Sequence, residues 1–180
     1  VYLGYVGFAS GLPTWVFMLY GGVIADRFSR RKILVITQSI MMALAAILAI
    51  LTFTSLVQPW HIIVLAFLLG TANAFDAPSR VSFVNELVDK PDLTNAIALN
   101  STMFNTATAT GPAIAGIAYA VAGPAWCFTI NAVSFIGVLI ALNKMKLKKH
   151  VISLSGRSAF AEIKEGLKYI AREPIIRVIF

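Results

Sequence analysis

Three runs without a single Asp, Glu, Lys or Arg decide what this chain can fold into: Val1 to Ala25 (25 residues), Ile33 to Phe75 (43) and Leu93 to Asn143 (51). About 20 apolar residues in a helix cross the hydrocarbon core of a bilayer, so the runs hold one, two and two spans. Composition agrees: 58% of residues are hydrophobic and 13% charged, against roughly 45–50% and 25% in soluble domains. The runs lack period-2 alternation and exceed the length of a barrel strand, which excludes strands. Breaks fall where the count requires them, at Thr54 to His61 with its Pro59 and at the Gly-Pro turn Ala122 to Ala125. Spans are therefore expected near 1–25, 33–54, 60–84, 94–121 and 124–143, giving an all-α membrane protein, a multi-pass helical bundle.

A formal charge of +7 would suggest a nucleic-acid partner in a soluble protein, but here the placement of charge outweighs its sum. Arg27, Arg30, Arg31 and Lys32 lie between spans one and two, Arg80 and Lys90 flank the loop between spans three and four, and the other nine bases follow span five. The loops at 54–61 and 121–125 have none. Alternation of basic and base-free loops is the positive-inside pattern, which puts the basic loops in the cytoplasm and excludes a nucleic-acid role.

The chemistry of catalysis is missing. Cys127 stands alone, without metal-type spacing, and the two histidines, His61 and His150, fall at opposite faces of the expected topology. No phosphate-binding G-x-x-x-x-G-K-[ST] loop occurs. The expectation is no enzyme, no metal and no cofactor.

The densest charge of the first half is "GGVIADRFSRRKIL", Gly21 to Leu34. A topogenic loop accounts for its bases but not for Asp26, since an acid adds nothing to the positive-inside signal. An acid at the end of a span has as natural partners an Arg or the N-terminus of a neighbouring helix. In this stretch Gly22, Ala25, Asp26, Arg27, Arg30 and Arg31 resemble the signature G-x-L-A-D-R-x-G-R-R/K between helices two and three of the major facilitator superfamily. Ser29 replaces the family's glycine, which puts the tightness of the turn in question. The resemblance implies a cytoplasmic latch, in which the Asp and an Arg contact the opposite half of a transporter and stabilise its outward-facing state.

In span four, Gly111, Pro112 and Gly116 resemble the antiporter motif G-x-x-x-G-P-x-x-G-G, with Ala107 and Ala115 for two glycines. Ala107, Gly111 and Ala115 form a small-residue stripe, while Pro112 frees a carbonyl and invites a bend. In the family this motif accompanies export. The segments "AFDAPSR", "ELVDKPDLTNAIALNS" and "INAVSF" narrow the resemblance to the transmembrane secretion effector branch, the enterobactin exporter and macrolide efflux type. On that alignment the five spans are helices two to six of twelve, a partial major facilitator fold, with helix one missing and helix seven just begun.

Asp76 and Arg80 stand at i and i+4 in span three and can pair as a structural or a coupling group, although Pro78 lies between them. Asp76 lies about 15 residues, roughly 22 Å, from the outer end of its span, hence near the inner interface. The Arg that many proton-coupled members carry in this helix is absent, Ala66 and Phe67 occupying its place. Span four carries Ser101, Asn105 and Thr108 on one face beside Thr102 and Thr106. Such side chains either bond neighbouring helices or their own backbone, or line a water-filled path. Asn105, Thr108 and Asn73 are the candidate cavity-lining residues.

Beyond span five, Phe160, Ile163, Leu167 and Ile170 repeat at helical spacing and predict an amphipathic linker helix at the cytoplasmic surface. The expected organisation is 1–143 for helices two to six, 144–174 for the interdomain linker and 175–180 for the start of the next span. The resemblance implies a secondary transporter of the inner membrane that exports a small amphipathic, siderophore- or drug-like molecule by alternating access with proton antiport. Its partners would be the bilayer, the substrate, protons and the missing second half. An importer, or a transport-incompetent scaffold or sensor on the same fold, is the alternative.

Overall fold

The computed structural model describes residues 2–145, with only the backbone of Leu19, Val23, Asp26 and Arg27. The linker helix and the further span expected beyond residue 145 lie outside the described residues, as does His150. Among the described residues four helices carry the fold: α1 (Tyr2–Arg27), α2 (Arg30–Phe53), α3 (Pro59–Leu87) and α4 (Leu93–Lys144), the last preceded by a 3-10 turn at Lys90–Asp92. No strand occurs among the described residues. By length and composition α2, α3 and the stretch Lys90–Lys144 can each cross a membrane.

α4 is two helices merged across a kink. Gly123 adopts φ 79° and ψ 171°, outside helical space, and Pro124 follows it. The expected Gly-Pro turn is thus a sharp break in a continuous stretch, dividing α4 into arms at 93–122 and 124–144. The expected bend at Pro112 is different: helical φ/ψ angles continue through it.

The connections explain themselves locally. Only Phe28 and Ser29 separate α1 from α2, and Ser29 turns the chain at φ −57°. No left-handed residue is required, so serine serves where the signature has glycine. α2 ends in a Schellman motif: Ser55 N–H donates to the Thr52 carbonyl (3.2 Å) and Leu56 N–H to the Leu51 carbonyl (3.0 Å), with Ser55 left-handed at φ 55°. α3 opens with Pro59 at its first turn and a reciprocal cap between Gln58 and His61. In that cap the Gln58 N–H donates to His61 Nδ1 at 3.1 Å.

Packing follows the order α1, α3, α2, then the second arm of α4. Leu34 of α2, Phe83 of α3 and Leu142 of α4 form the core at the basic end. At the other end Phe53 meets Trp126 edge to face at 5.5 Å between ring centroids. Much of the buried lining is alanine, including Ala45, Ala49, Ala72 and Ala74, which lets the helices approach closely. Large apolar side chains meanwhile face outward, with Leu3 90% and Trp15 85% exposed. In water that distribution would be inverted; in a bilayer, where lipid is the solvent, it is the stable one.

Candidate functional site

The polar residues that sequence reasoning scattered over several motifs converge at the basic end of the bundle. Their centre is Asp76, buried in α3 at 4% exposure. Its Oδ1 accepts from Thr37 Oγ1 at 2.7 Å and from Gln38 Nε2 at 2.9 Å; its Oδ2 accepts from Arg80 Nη2 at 2.8 Å and Nε at 3.2 Å. A carboxylate in an apolar bundle is costly unless charge-paired and hydrogen-bonded, and this one is both. Thr37 has a single proton and also lies 3.1 Å from the Leu34 carbonyl; the shorter contact, to a charged acceptor, is the stronger. Arg80 keeps about half of its side chain exposed, so its charge reaches towards the interface while neutralising the buried acid.

Pro78 does not prevent this pairing. Proline removes the N–H that would have reached the Ala74 carbonyl. That carbonyl instead faces α1 so closely that a Cβ built on Gly21 would lie 2.2 Å from its oxygen. A second close approach lies further along the same helix pair. A Cβ on Gly70 would fall 2.0 Å from the Ser10 carbonyl oxygen, and Thr14 Oγ1 donates to the Gly70 carbonyl at 3.0 Å. α1 and α3 are therefore fastened backbone to backbone at two glycines, of which the sequence singled out neither for α3.

The signature loop is tied down by its arginines. Arg30, at the start of α2, forms an ion pair with Glu86 near the end of α3. Arg31 donates to the Asn143 carbonyl and, at 3.3 Å, to the Met145 carbonyl. It thereby caps the C-terminus of α4, where carbonyls lack helical donors and the dipole favours a cation. Gly22 has open space around the position of a Cβ. Asp26 and Arg27 occupy the last turn of α1, and their side chains lie outside the described residues.

The remaining candidates stand apart. Asn73 is exposed on α3, and Asn105 and Thr108 are exposed on the first arm of α4; α3 and α4 meet only marginally. Thr108 donates to the Phe104 carbonyl at 2.9 Å, and Thr102 to Ala98 at 2.8 Å, so these hydroxyls bond their own backbone. Gly111 and Gly116 have no neighbour within 4 Å of a Cβ: no described helix packs on the small-residue stripe. Sequence reasoning missed Thr37, Gln38 and Glu86. Thr37 and Gln38 were visible, with Ser39, as three consecutive polar residues in an otherwise apolar stretch of α2, but only the fold shows that Thr37 and Gln38 both meet Asp76. Ser79 was also missed; its hydroxyl is buried without a hydrogen-bond partner among the described residues.

Among the described residues no group of His, Cys, Asp or Glu has the arrangement to hold a metal ion. What the site does chemically is hold helices: two arginines and one buried acid bind α2 to α3 and α4 at one end of the bundle.

Comparison with known proteins gives a consistent picture. A family model described as transmembrane secretion effector matches residues 2–180. The chain is 35% identical over 144 residues to the staphyloferrin A transporter of Staphylococcus aureus (strain NCTC 8325 / PS 47), an alignment covering 79% of this chain and 36% of that protein. It is 28% identical over 131 residues to macrolide efflux protein A of Enterococcus faecalis, covering 73% and 39%. To the multidrug efflux pump Tap of Mycolicibacterium fortuitum it is 25% identical over 182 aligned positions, covering 97% and 44%. The chain thus spans less than half the length of the curated relatives it matches.

Proposed function

The chain belongs to the transmembrane secretion effector family of the major facilitator superfamily, and from that membership we propose that it forms part of the first half of a secondary exporter for a small amphipathic molecule, siderophore- or drug-like. Family and relatives are membrane transporters, not enzymes. Export is supported by two relatives whose names specify efflux. In this reading the protein sits in the inner membrane with its basic loops in the cytoplasm, works by alternating access against a second half, and exchanges its substrate for protons. Residues 1–143 are helices two to six, 144–174 the linker and 175–180 the start of the next span.

The observation that carries the reading is the tying of the signature loop. Arg30 on Glu86 and Arg31 on the α4 C-terminus join the loop to both neighbouring helices, so it moves as one piece with its bundle. A latch needs that property: Gly22, Asp26 and Arg27 at the end of α1 can engage an opposing half only if their own base is rigid. Asp76 with Arg80 serves in this scheme as the internal brace, and Asn73, Asn105 and Thr108, exposed within the spans, face the cavity that a second half would complete. Gly111, Pro112 and Gly116 supply the close contact and flexing of the antiporter helix.

The test is a transport assay on the intact protein in vesicles, with and without a proton gradient, comparing wild type with D26N. Gradient-dependent extrusion that falls at least tenfold in D26N is expected. Substrate distribution unaffected by both the gradient and the substitution overturns the exporter reading and leaves a scaffold or sensor. The staphyloferrin relative's name gives no direction, which keeps an importer as the second reading; counterflow in oriented vesicles separates the two.

A further inference from the structure

Where α1 and α2, which scarcely touch, both lie against α3, an open groove of about 500 Å³ is lined by residues of all three. Ile24 of α1, Phe28 of the connection after it, Ile36 and Ile40 of α2, and Leu68 and Phe75 of α3 are among its walls, and Lys32 lines it where α2 begins. No polar atom is exposed inside it. Its two threonines are turned away, Thr71 donating to its own Phe67 carbonyl at 2.9 Å and Thr37 to Asp76. A polar solute would find nothing to bond. The walls are nevertheless accessible: Phe28 is 61% and Ile36 59% exposed.

The groove has a direction. Along α2 it runs from Lys32 to Leu44, 12 residues or about 18 Å of helix, close to the roughly 15 Å depth of one leaflet's hydrocarbon. At its shallow end Lys32 is exposed and forms no hydrogen bond or ion pair among the described residues, whereas the neighbouring Arg30 and Arg31 are engaged. The positive end of the α2 dipole lies there too, with no side-chain cap from Ser29. An exposed lysine without a partner among the described residues, above a leaflet-deep apolar channel, matches one kind of molecule, charge to charge and length to length.

We propose that this groove is a binding site for a single anionic phospholipid from the leaflet on the basic-loop side, with an acyl chain along Ile36, Ile40 and Leu68 and the phosphate at Lys32. The site assumes no transport direction and uses none of the latch side chains, although Ile24, Phe28 and Lys32 alternate with them along the chain. Lipid seated there bridges α1 and α2, which otherwise scarcely touch.

The test is native mass spectrometry of the intact protein, titrated with phosphatidylglycerol and with phosphatidylcholine of the same acyl chains. Wild type is expected to retain one phosphatidylglycerol about fivefold more strongly than phosphatidylcholine, the preference one interfacial lysine provides. K32Q should equalise the two headgroups, and I40W, which fills the channel from an already exposed position, should reduce retention of both. Lys32 and Ile40 are surface residues, and retained helicity by circular dichroism checks the fold of each variant. Equal retention of the two lipids by wild type, an unchanged preference in K32Q, or unchanged retention in I40W each overturns the proposal.

Discussion

Gly21 and Gly22 are adjacent, chemically identical and opposite in consequence. A methyl group on Gly21 would meet the Ala74 carbonyl oxygen at 2.2 Å, while one on Gly22 meets nothing within 4 Å. A backbone atom cannot swing aside as a flexible side chain can, so G21A must push α1 off α3. G21A is expected to destabilise the intact protein by about 2 kcal/mol or more, in the range of overpacking a tight interior, and G22A by less than about 0.5; thermal inactivation half-lives in detergent measure both. Equal half-lives would mean that α1 and α3 are not in backbone contact. Asp76 gives a second residue-scale expectation. D76N keeps an oxygen for Thr37 and Gln38 but removes the charge that Arg80 neutralises, at an expected cost of about 2 kcal/mol, below the value for a fully buried pair because Arg80 is half exposed. R80Q added to D76N should then cost little more, and additive losses in the double-mutant cycle would show that the two side chains are not coupled.

At the scale of the helix, strain collects at two connections. Ser55 holds a left-handed φ of 55° to complete the Schellman cap of α2, a conformation glycine adopts without a Cβ penalty. S55G is expected to stabilise the protein by about 0.5–1 kcal/mol, less what glycine costs through the unfolded chain. Gly123 is the reverse case: at φ 79° it is the joint between the two arms of α4, and G123A should destabilise by about 1–2 kcal/mol although nothing lies within 4 Å of the added methyl. A neutral G123A, read by the same inactivation assay, would place the break elsewhere. Element types were legible from charge-free runs alone, because about 20 apolar residues in a bilayer admit one solution. The ends were less so. α3 runs on to Leu87, three residues past the expected end at 84; the pairing of Asp76 with Arg80 inside it was legible, whereas the approach of α1 to the carbonyl that Pro78 releases lies in another part of the sequence. Likewise the charges of the loop were legible in number but not in partner: that Arg30 meets Glu86, 56 residues away, is a property of how α2 lies on α3.

Across the whole molecule, burial is uneven in a way that separates stability from transport. α1, α2, α3 and the second arm of α4 contain every buried described residue, and the first arm, 93–122, contains none. That arm nevertheless carries Gly111, Pro112 and Gly116, the residues whose resemblance to the antiporter motif points to close helix contact. Two roles can be told apart. If the stripe serves only to pack this bundle, G111A and G116A add methyl groups to open space and should change neither stability nor transport. If it meets the remainder of a full-length transporter and slides against it during alternating access, the same substitutions leave the four-helix core intact while obstructing a moving contact, because interfaces between such halves depend on small residues for their approach distance. The proposed function requires the second pattern: inactivation half-lives of G111A and G116A within about twofold of wild type, the change expected from a surface substitution of a few tenths of a kcal/mol, together with a drop of at least tenfold in initial export rate in vesicles. A parallel loss of stability and transport would make the stripe ordinary packing, and unchanged transport would remove it from the mechanism.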